Sequence, residues 1–555
     1  MSFLLLLLAS PRFAAATLAP SAADILLYVA PTHEQAHVEA AVASRGGSVL
    51  ILSHHDDIDD GDGVSAIPQP GREVEWAAAA LPPNARIRGV VCGDDASLAD
   101  AERLADALCP DFGNGVNPAR RDKYLMNEAL REHGVPAAAQ VAPESWEEAE
   151  LFLQSEAGLP VIVKPRRGVA SIMVGLAQSE EEARVMYETL TSVMSAALEA
   201  VESSADTHDA DVAGWGAAVV QEYLEGDEWI VDTVSRDGEH KIVALWRYDK
   251  GEANGAPFVY FGVTAAGMAS AEASAEALAA LVEYARLSLD ALGWRWGPCH
   301  LEVKLTPHGP RLVEANTGRW NGIPFLRVAE ACNGCNAYDV AVSAYLDGAA
   351  AWATVPATPP SQLLAAGRIL HLVSHVEGSV HGIRHRELIS RMPSLAHFQP
   401  RYRWRGEVAQ LTTDFLTCAG EAHLVHADAA VVERDYRALR EMQPSLFEVS
   451  PTPLPLYLRP GYVVRRLTWS DDGESYTDER LLVVGLHGGE AAGGRKAGGE
   501  SGEDEKAAVL DLANDLAEGS MEGVESVSLV SAEGTHEAVE AALVCAPVYE
   551  VVSKT

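Results

Sequence analysis

Two short runs of alternating residues around one turn constrain this chain more than any other feature. Leu301-Glu-Val-Lys-Leu-Thr-Pro-His-Gly-Pro-Arg-Leu-Val-Glu-Ala-Asn316 reads as a β-hairpin, because Thr306–Pro310 supplies Pro and Gly where a reversal needs them. If Leu305 faces Arg311 across that turn, Glu302 lies opposite Glu314 and His300 opposite Asn316. Period-two alternation then puts His300, Glu302, Lys304, Leu312, Glu314 and Asn316 on one face. Leu301, Val303, Leu305, Val313 and Ala315 make the other, apolar face. Two carboxylates opposed across a strand pair repel, and burying both is costly without compensation. A divalent cation removes the conflict. Oxygen ligands without cysteine suit Mg²⁺, which takes one or two carboxylates and completes its shell with substrate phosphates. The plainer alternative is an exposed strand face with ordinary charge. Arg319 follows closely, well placed to clamp a transferring phosphoryl group or an acyl phosphate.

Ahead of the hairpin, strands and helices alternate. Ile25–Ala30, Ser48–Ser53 and Ile87–Cys92 are apolar strands. One helix is capped by Thr32 and runs to Ser44, a second ends in Trp76–Leu81, and a third covers Ala99–Leu108. This order predicts a doubly wound parallel α/β domain over residues 24–115. No G-x-G-x-x-G follows the first strand, so a dinucleotide is not indicated. From 116 to 355 the pattern becomes α+β. Asn117–His133 reads as one basic amphipathic helix. Leu159–Lys164 and Ser171–Leu176 are strands around a short basic loop, and residues 195–216 read as a loop insertion. Val219–Tyr223, Trp229–Ser235 and Lys241–Tyr248 read as successive strands of one antiparallel sheet. An Ala-rich helix covers Ser270–Leu292, and another lies near Asp339–Leu346. Pro356–Pro360 is a hinge to a further α+β unit at 361–450. After it come a strand-rich extension (451–486), a Gly, Glu and Ala rich linker (487–506) and a small βα tail (507–555).

Charge and cysteine usage narrow the partners. A formal net charge of -38 repels phosphate backbones, so nucleic acid is not expected as a partner of the whole chain. A small anion would need local Lys and Arg. Seven scattered cysteines, an odd number, are not a disulfide framework and suit a reducing compartment. Cys332 and Cys335 have C-x-x-C spacing without a second pair, and read as two small residues at a helix start. No run approaches the roughly 18–20 apolar residues of a membrane span. Residues 1–23 read as a leader or disordered segment. Five consecutive Leu lie within Met1–Leu8, with no Lys or Arg ahead of them. A cytoplasmic address is expected, with organelle or secretory targeting by residues 1–20 as the alternative.

The hairpin and three earlier segments, taken in order, resemble the ATP-grasp superfamily. The match is to its carboxylate–amine ligase branch of L-amino acid ligases and carnosine-synthase-like enzymes, from about Ile25 to about Val449. In that branch an E-[VIL]-[KR] strand and an E-x-N segment hold two Mg²⁺ ions, replaceable by Mn²⁺, as Glu302, Glu314 and Asn316 would here. The resemblance implies that Lys123, in Ala119-Arg-Arg-Asp-Lys-Tyr-Leu-Met126, reaches the ATP phosphates. It implies the same of Lys164, in Val161-Ile-Val-Lys-Pro-Arg-Arg-Gly-Val-Ala-Ser171, with Gly168 and Ser171 on a phosphate loop. In Val220-Gln-Glu-Tyr-Leu-Glu-Gly-Asp-Glu228, Glu222 and Leu224 would meet adenine and Glu228 the ribose. Arg319 would steady the acyl phosphate, one residue later than the family's arginine, whose place Gly318 takes. The implied fold is an ATP-grasp pair of α+β subdomains with a lid over about 135–225, followed by a C-terminal α+β lid. The implied activity is ATP-dependent joining of a small carboxylate to an amine, amino acids among them, with Lys164 and Arg319 as catalytic groups. A homodimer is the implied assembly.

Other readings stay open. The Arg319 offset motivates a non-catalytic nucleotide-binding module. A carboxylase-type relative would activate bicarbonate, but no biotin-accepting Met-Lys-Met segment is present. His33-Glu34-Gln35-Ala36-His37 matches the H-E-x-x-H of zinc metalloproteases, although Thr32 as cap would place His33 at the helix start. His371, His375, His381 and His385 are strand and turn residues that need not converge. No general base is identified; His300 is a candidate, with a structural role as the plainer reading.

Overall fold

The computed structural model describes residues 24–53, 65–168, 173–202, 218–402 and 407–450, and four further strands between 462 and 553. The leader and the 487–506 linker lie outside the described residues. The first strand, Asp24–Val29, is wholly buried because both of its faces are covered. It pairs in parallel with Ser48–Ser53 on one side and Arg86–Cys92 on the other. The short strand Ser65–Ala66 completes the four-stranded sheet. Alternate residues part company: Ile25, Leu27 and Val29 pack with the Leu98–Leu108 helix, while Leu26 and Tyr28 pack with Val38 and Val42 of the Gln35–Ala43 helix. This is the expected doubly wound α/β layer. Its first helix starts later than expected, with Glu34 rather than Thr32 at the cap position.

The α+β part holds two sheets, in keeping with the implied pair of subdomains, and the first of the three strands read as one antiparallel run falls in the smaller sheet. Gln140–Val141, Ala218–Glu222, Val161–Pro165 and Gly175–Ala177 form a small antiparallel sheet. Val161, Val163, Ala218 and Val220 from it meet Phe152 and Leu190 of the covering helices. The chain then changes sheets at Gly226. That residue sits at φ +130° with its α-carbon so close to Leu305 that an added Cβ would lie 2.1 Å from the Leu305 carbonyl oxygen. Only glycine makes that crossing without displacing the backbone. The strand Asp227–Arg236 then enters an eight-stranded sheet, between Gly297–Thr306 and Glu239–Ala253. That sheet ends in Gly309–Thr317 on one side. On the other it runs through Ala256–Ala266, Ala366–His371, Gly420–His426 and Leu395–Pro400. The helix Ala275–Ala291 covers one face, through Leu278, Leu281 and Leu289 against Leu301 and Val303. The helix Ile323–Asn333 covers part of the other, through Phe325 and Val328 against Ile230, Trp246 and Ile369.

Three local expectations give way. Asn117–His133 is not one helix: a 3₁₀ turn, Pro118–Arg120, precedes the α-helix Lys123–Glu132. Asp122 breaks the run because its carboxylate accepts from the backbone N–H of Tyr124 and Leu125 as an N-cap. The Glu180–Glu202 helix takes in residues 195–202 of the expected loop insertion. Cys332 lies at the end of the Ile323–Asn333 helix, not at a helix start, and the described cysteines are free thiols.

Two compact units emerge. One comprises residues up to 372 with 390–399 and 412–440; the other comprises 373–389, 400–411 and the chain from 441 onward. The second unit contains a three-stranded sheet of Val408–Ala409, Gly378–Ile383 and Phe447–Ser450. It also contains a four-stranded sheet of Tyr476–Val483, Tyr462–Trp469, Val527–Ser531 and Tyr549–Ser553. Among the described residues no helix is long and apolar enough to cross a membrane.

Candidate functional site

The hairpin carries the acids. Its register pairs Glu302 with Glu314 and His300 with Asn316. The turn is one residue out of the expected step: Leu305 faces Pro310 and Lys304 faces Arg311, and a bulge at Val313 restores the pairing at Glu302. The bulge moves Leu312 off the acid face. Leu312 is fully buried beside Val303 in the core, and Val313 is left half-buried. A buried leucine contributes about 1.5–3 kcal/mol, and Tyr284 completes the arrangement by accepting the Leu312 N–H at 2.8 Å. Both carboxylates are ionised. Burial works to raise Glu302, but the Lys250 ammonium 3.9 Å away, His300 and the Tyr248 hydroxyl at 2.9 Å hold it well below the usual carboxylate range. Burial likewise opposes Glu314, and Lys123 at 2.7 Å lowers it more, with help from Asn316.

The lysines come from two other elements. Asp122 caps its helix, so Lys123 is the first helical residue and its ammonium points at Glu314. Lys123 also donates to the Gly168 carbonyl at 3.0 Å, and its backbone N–H donates to the Arg166 carbonyl at 2.8 Å. The basic loop is thus folded onto the helix start, where Arg166 meets Asp122 at 2.6 Å. Lys164 leaves the small sheet beside it, 4% exposed, and donates to Gln221 Oε1 at 2.9 Å. Burial pushes its ammonium down to about 8, Lys123 adds to the shift, and Glu314, Glu228 and Glu302 oppose it. Ser171 lies outside the described residues.

The remaining expected ATP contacts are near this centre in part. Glu222 ends its strand with its carboxylate accepting the Ala139 N–H at 2.8 Å, so that side chain is engaged in the sheet. Leu224 is half-buried in the connection that follows. Glu228 opens the next strand and is ion-paired with Lys250. Lys250 is the main residue the sequence reading missed. Its ammonium stacks 4.0 Å and 4.1 Å from the rings of Tyr248 and Tyr260 and links Glu228 to Glu302. The strand was ended at Tyr248, whereas it runs to Ala253. Carrying the alternation Trp246, Tyr248, Lys250 two residues further would have found it.

Arg319 lies beyond the hairpin, 2.9 Å from Asp95, with no aligned hydrogen bond at its Nε. Burial works against its charge; Asp95, Glu314 and Glu302 outweigh that and strengthen it. Asp95 also escaped the sequence reading. It follows the C-terminal end of a parallel strand, where ligand-facing residues of α/β sheets gather. A cleft beside Arg319 is lined by Asp232, Trp320, Asn321, Phe325 and Tyr338. The neighbouring Glu34 carboxylate and the Tyr338 hydroxyl bond to each other, while Trp320 Nε1 and Asn321 Nδ2 are buried without a hydrogen-bond partner among the described residues. Such atoms are rare in folded proteins, and a bound water or ligand can satisfy them. Glu34 belongs to the H-E-x-x-H stretch. His33 lies ahead of the helix and His37 stacks on Tyr338 at 5.6 Å, so the stretch does not present two histidines from one helix face.

Glu302, Glu314 and Asn316 offer oxygen donors from adjacent strands, a donor set that fits Mg²⁺ with the remaining positions left to phosphates and water. Comparison with known proteins gives the family resemblance of the domain that carries these residues. Residues 157–325 match the ATP-grasp domain family. Dapdiamide A synthase of Enterobacter agglomerans is 27% identical over 235 residues, 41% of this chain and 50% of that protein. Carnosine synthase 1 of Gallus gallus is 34% identical over 104 residues, 19% of this chain and 10% of that protein. The chain therefore spans half or less of the length of these curated relatives. The crystal structure of an L-amino acid ligase from Bacillus licheniformis superposes with a TM-score of 0.56 at 15% identity, covering 77% of this chain and 99% of that one. This last likeness is one of fold.

Proposed function

This chain carries an ATP-grasp domain, and from that premise we propose that it is an ATP-dependent carboxylate–amine ligase working through an acyl phosphate. The observation that carries the proposal is the convergence of Glu302, Glu314, Lys123 and Lys164 from three separate elements on one centre. Two acids and two buried lysines there neutralise one another without a ligand. They are the groups a nucleotide triphosphate with its metal would reapportion. In the proposed complex, Lys123 and Lys164 release Glu314 and Gln221 and turn to the phosphates, with Arg166 and Arg167 of the adjoining loop adding charge. Glu302, Glu314 and Asn316 hold Mg²⁺, expected as two ions with Mn²⁺ as a substitute; the metal supplies charge neutralisation at the transferring phosphoryl group. Gly168 and Ser171 belong to the loop that excludes water from the acyl phosphate. Leu224 and the backbone near Glu222 meet adenine, and Glu228 the ribose.

The carboxylate substrate binds beside Arg319 and attacks the γ-phosphate in line, breaking the bond to the bridging oxygen so that ADP leaves. Arg319 then steadies the acyl phosphate while the amine attacks its carbonyl and phosphate departs. The unpartnered donors at Trp320 and Asn321 suit the carboxylate of the acid component, an amino acid in this proposal. The working units of this proposal are residues 24–115, 116–355 and 361–450, and a dimer is its proposed assembly.

The test is phosphate release from ATP over a matrix of amino acid pairs with Mg²⁺. Wild-type protein should release phosphate with at least one pair. Glu314→Gln should lower that rate about 100-fold or more while circular dichroism stays native. Nucleotide binding without phosphate release from any pair would favour a non-catalytic module instead.

A further inference from the structure

The acid face of the eight-stranded sheet does not stop at Lys250. The ring of Tyr260 lies under Lys250 and 5.6 Å from that of Phe415, and Phe415 packs edge-on against His371 at 5.3 Å. His371 faces Glu421 across the next strand pair, and Ile369 faces His423. Ile369 packs under the same helix as Ile230 and Trp246, so this is the face that carries Glu302 and Tyr248. His423 Nε2 is 3.1 Å from Glu421, and the His397 ring lies 5.0 Å from that of His423. A row of polar groups thus runs from the hairpin acids to a cluster of His371, Glu421, His423 and His397. The strand of His371 is two strands from that of Lys250, about 10 Å at the usual spacing.

We propose that this cluster is the subsite for the amine substrate, and that it selects an amine with an apolar stem and a second cationic group at its far end. The inference rests on the ligase function proposed above and names the substrate class of its second half-reaction. Three observations favour a cation. Among the described residues, no Lys or Arg pairs with Glu421; the group against its carboxylate is the His423 imidazole, 3.1 Å away. Burial presses against ionisation of Glu421, yet its bond to His423 keeps it below the usual carboxylate range. His371, 3% exposed, is pushed down to about 4 by burial and so is neutral at physiological pH. The cluster therefore presents an ionised carboxylate beside an uncharged imidazole. Between cluster and reaction centre lie the rings of Tyr260 and Phe415, and Phe415 keeps 44% of its surface exposed. Those rings are a seat for a methylene chain, with some cation–π attraction for its charged end.

The test separates the two half-reactions. Hydroxylamine is too small to need the cluster, so hydroxamate formation from the acid and ATP reports acyl phosphate alone. Ligation of L-lysine against L-norleucine, a chain of similar length without the charge, reports the far end of the amine. Wild-type protein should prefer L-lysine by at least about tenfold in kcat/KM. Glu421→Gln should erase most of that preference by raising the L-lysine KM, with hydroxamate formation held within about twofold, and His371→Asn should act in the same direction. An unchanged preference in Glu421→Gln overturns the subsite. So does a parallel loss of hydroxamate formation in both variants, which marks a structural role. No hydroxamate from wild-type protein with any amino acid defeats the ligase function itself, and the subsite with it.

Discussion

At the scale of single residues, the site is a set of buried charges whose ionisation their surroundings set. Lys164 shows this best. Its ammonium is buried and held down to about 8, so in the free protein it loses its proton just above neutrality. The charged form is the one that binds phosphate. The sign follows: affinity for the nucleotide is full below pH 8 and declines as pH rises through that value. We expect kcat/KM for ATP to fall about tenfold per pH unit above roughly pH 8. Lys164→Arg keeps its charge throughout and should flatten that limb even if its absolute rate is lower. A profile that is level to pH 9.5 in the wild type would remove Lys164 from the phosphate site. Glu302 and Glu314 offer no such handle near neutrality, because both stay ionised.

At the scale of elements, one-residue irregularities aim the side chains. The bulge at Val313 lets Leu312 enter the core while Glu314 still faces Glu302. Gly318 performs a similar service beyond the hairpin. It lies at φ +88°, and an added Cβ would lie 2.8 Å from Cys92 Sγ and 2.9 Å from Leu98 Cδ1. The chain ahead of Arg319 therefore makes a tight, left-handed turn against the parallel sheet, and Arg319 emerges beside Asp95. Gly318→Ala should displace that arginine. We expect kcat to fall between tenfold and about 100-fold, with nucleotide affinity from equilibrium titration nearly unchanged. A variant with wild-type kcat would show that the position of Arg319 does not matter to the chemistry.

At the scale of the whole larger unit, the parallel layer and the hairpin are built as one object. Tyr345 joins them. Its ring stacks on Trp296 at 5.7 Å, beside the first residue of the hairpin strand, and fills the space over Gly89 of the parallel sheet. An added Cβ at Gly89 would lie 2.3 Å from Tyr345 Cδ1. Tyr345 is 2% exposed and has little room to yield. Gly89→Ala should thus cost about 1–3 kcal/mol, read as a lower urea midpoint of unfolding. A shift below about 0.5 kcal/mol would mean that the packing relaxes freely.

The sequence by itself determined what local periodicity and residue chemistry can encode. Alternation wrote the hairpin and set Glu302 against Glu314. Strand–helix alternation wrote the parallel layer, and glycine and proline marked the reversals. The tertiary structure decided which distant groups meet. It joined Lys123 to Glu314 and Lys250 to both Glu228 and Glu302, turned Arg319 to Asp95, and set His371 opposite Glu421. It also moved Leu312 to the core and sent Ala218–Glu222 to a different sheet from Asp227–Arg236. The physical reason is common to all of these. A period of two fixes which face a side chain takes within one strand, but a bulge or a glycine crossing changes the count by one. Which strands then lie side by side is set by how all the buried faces pack together.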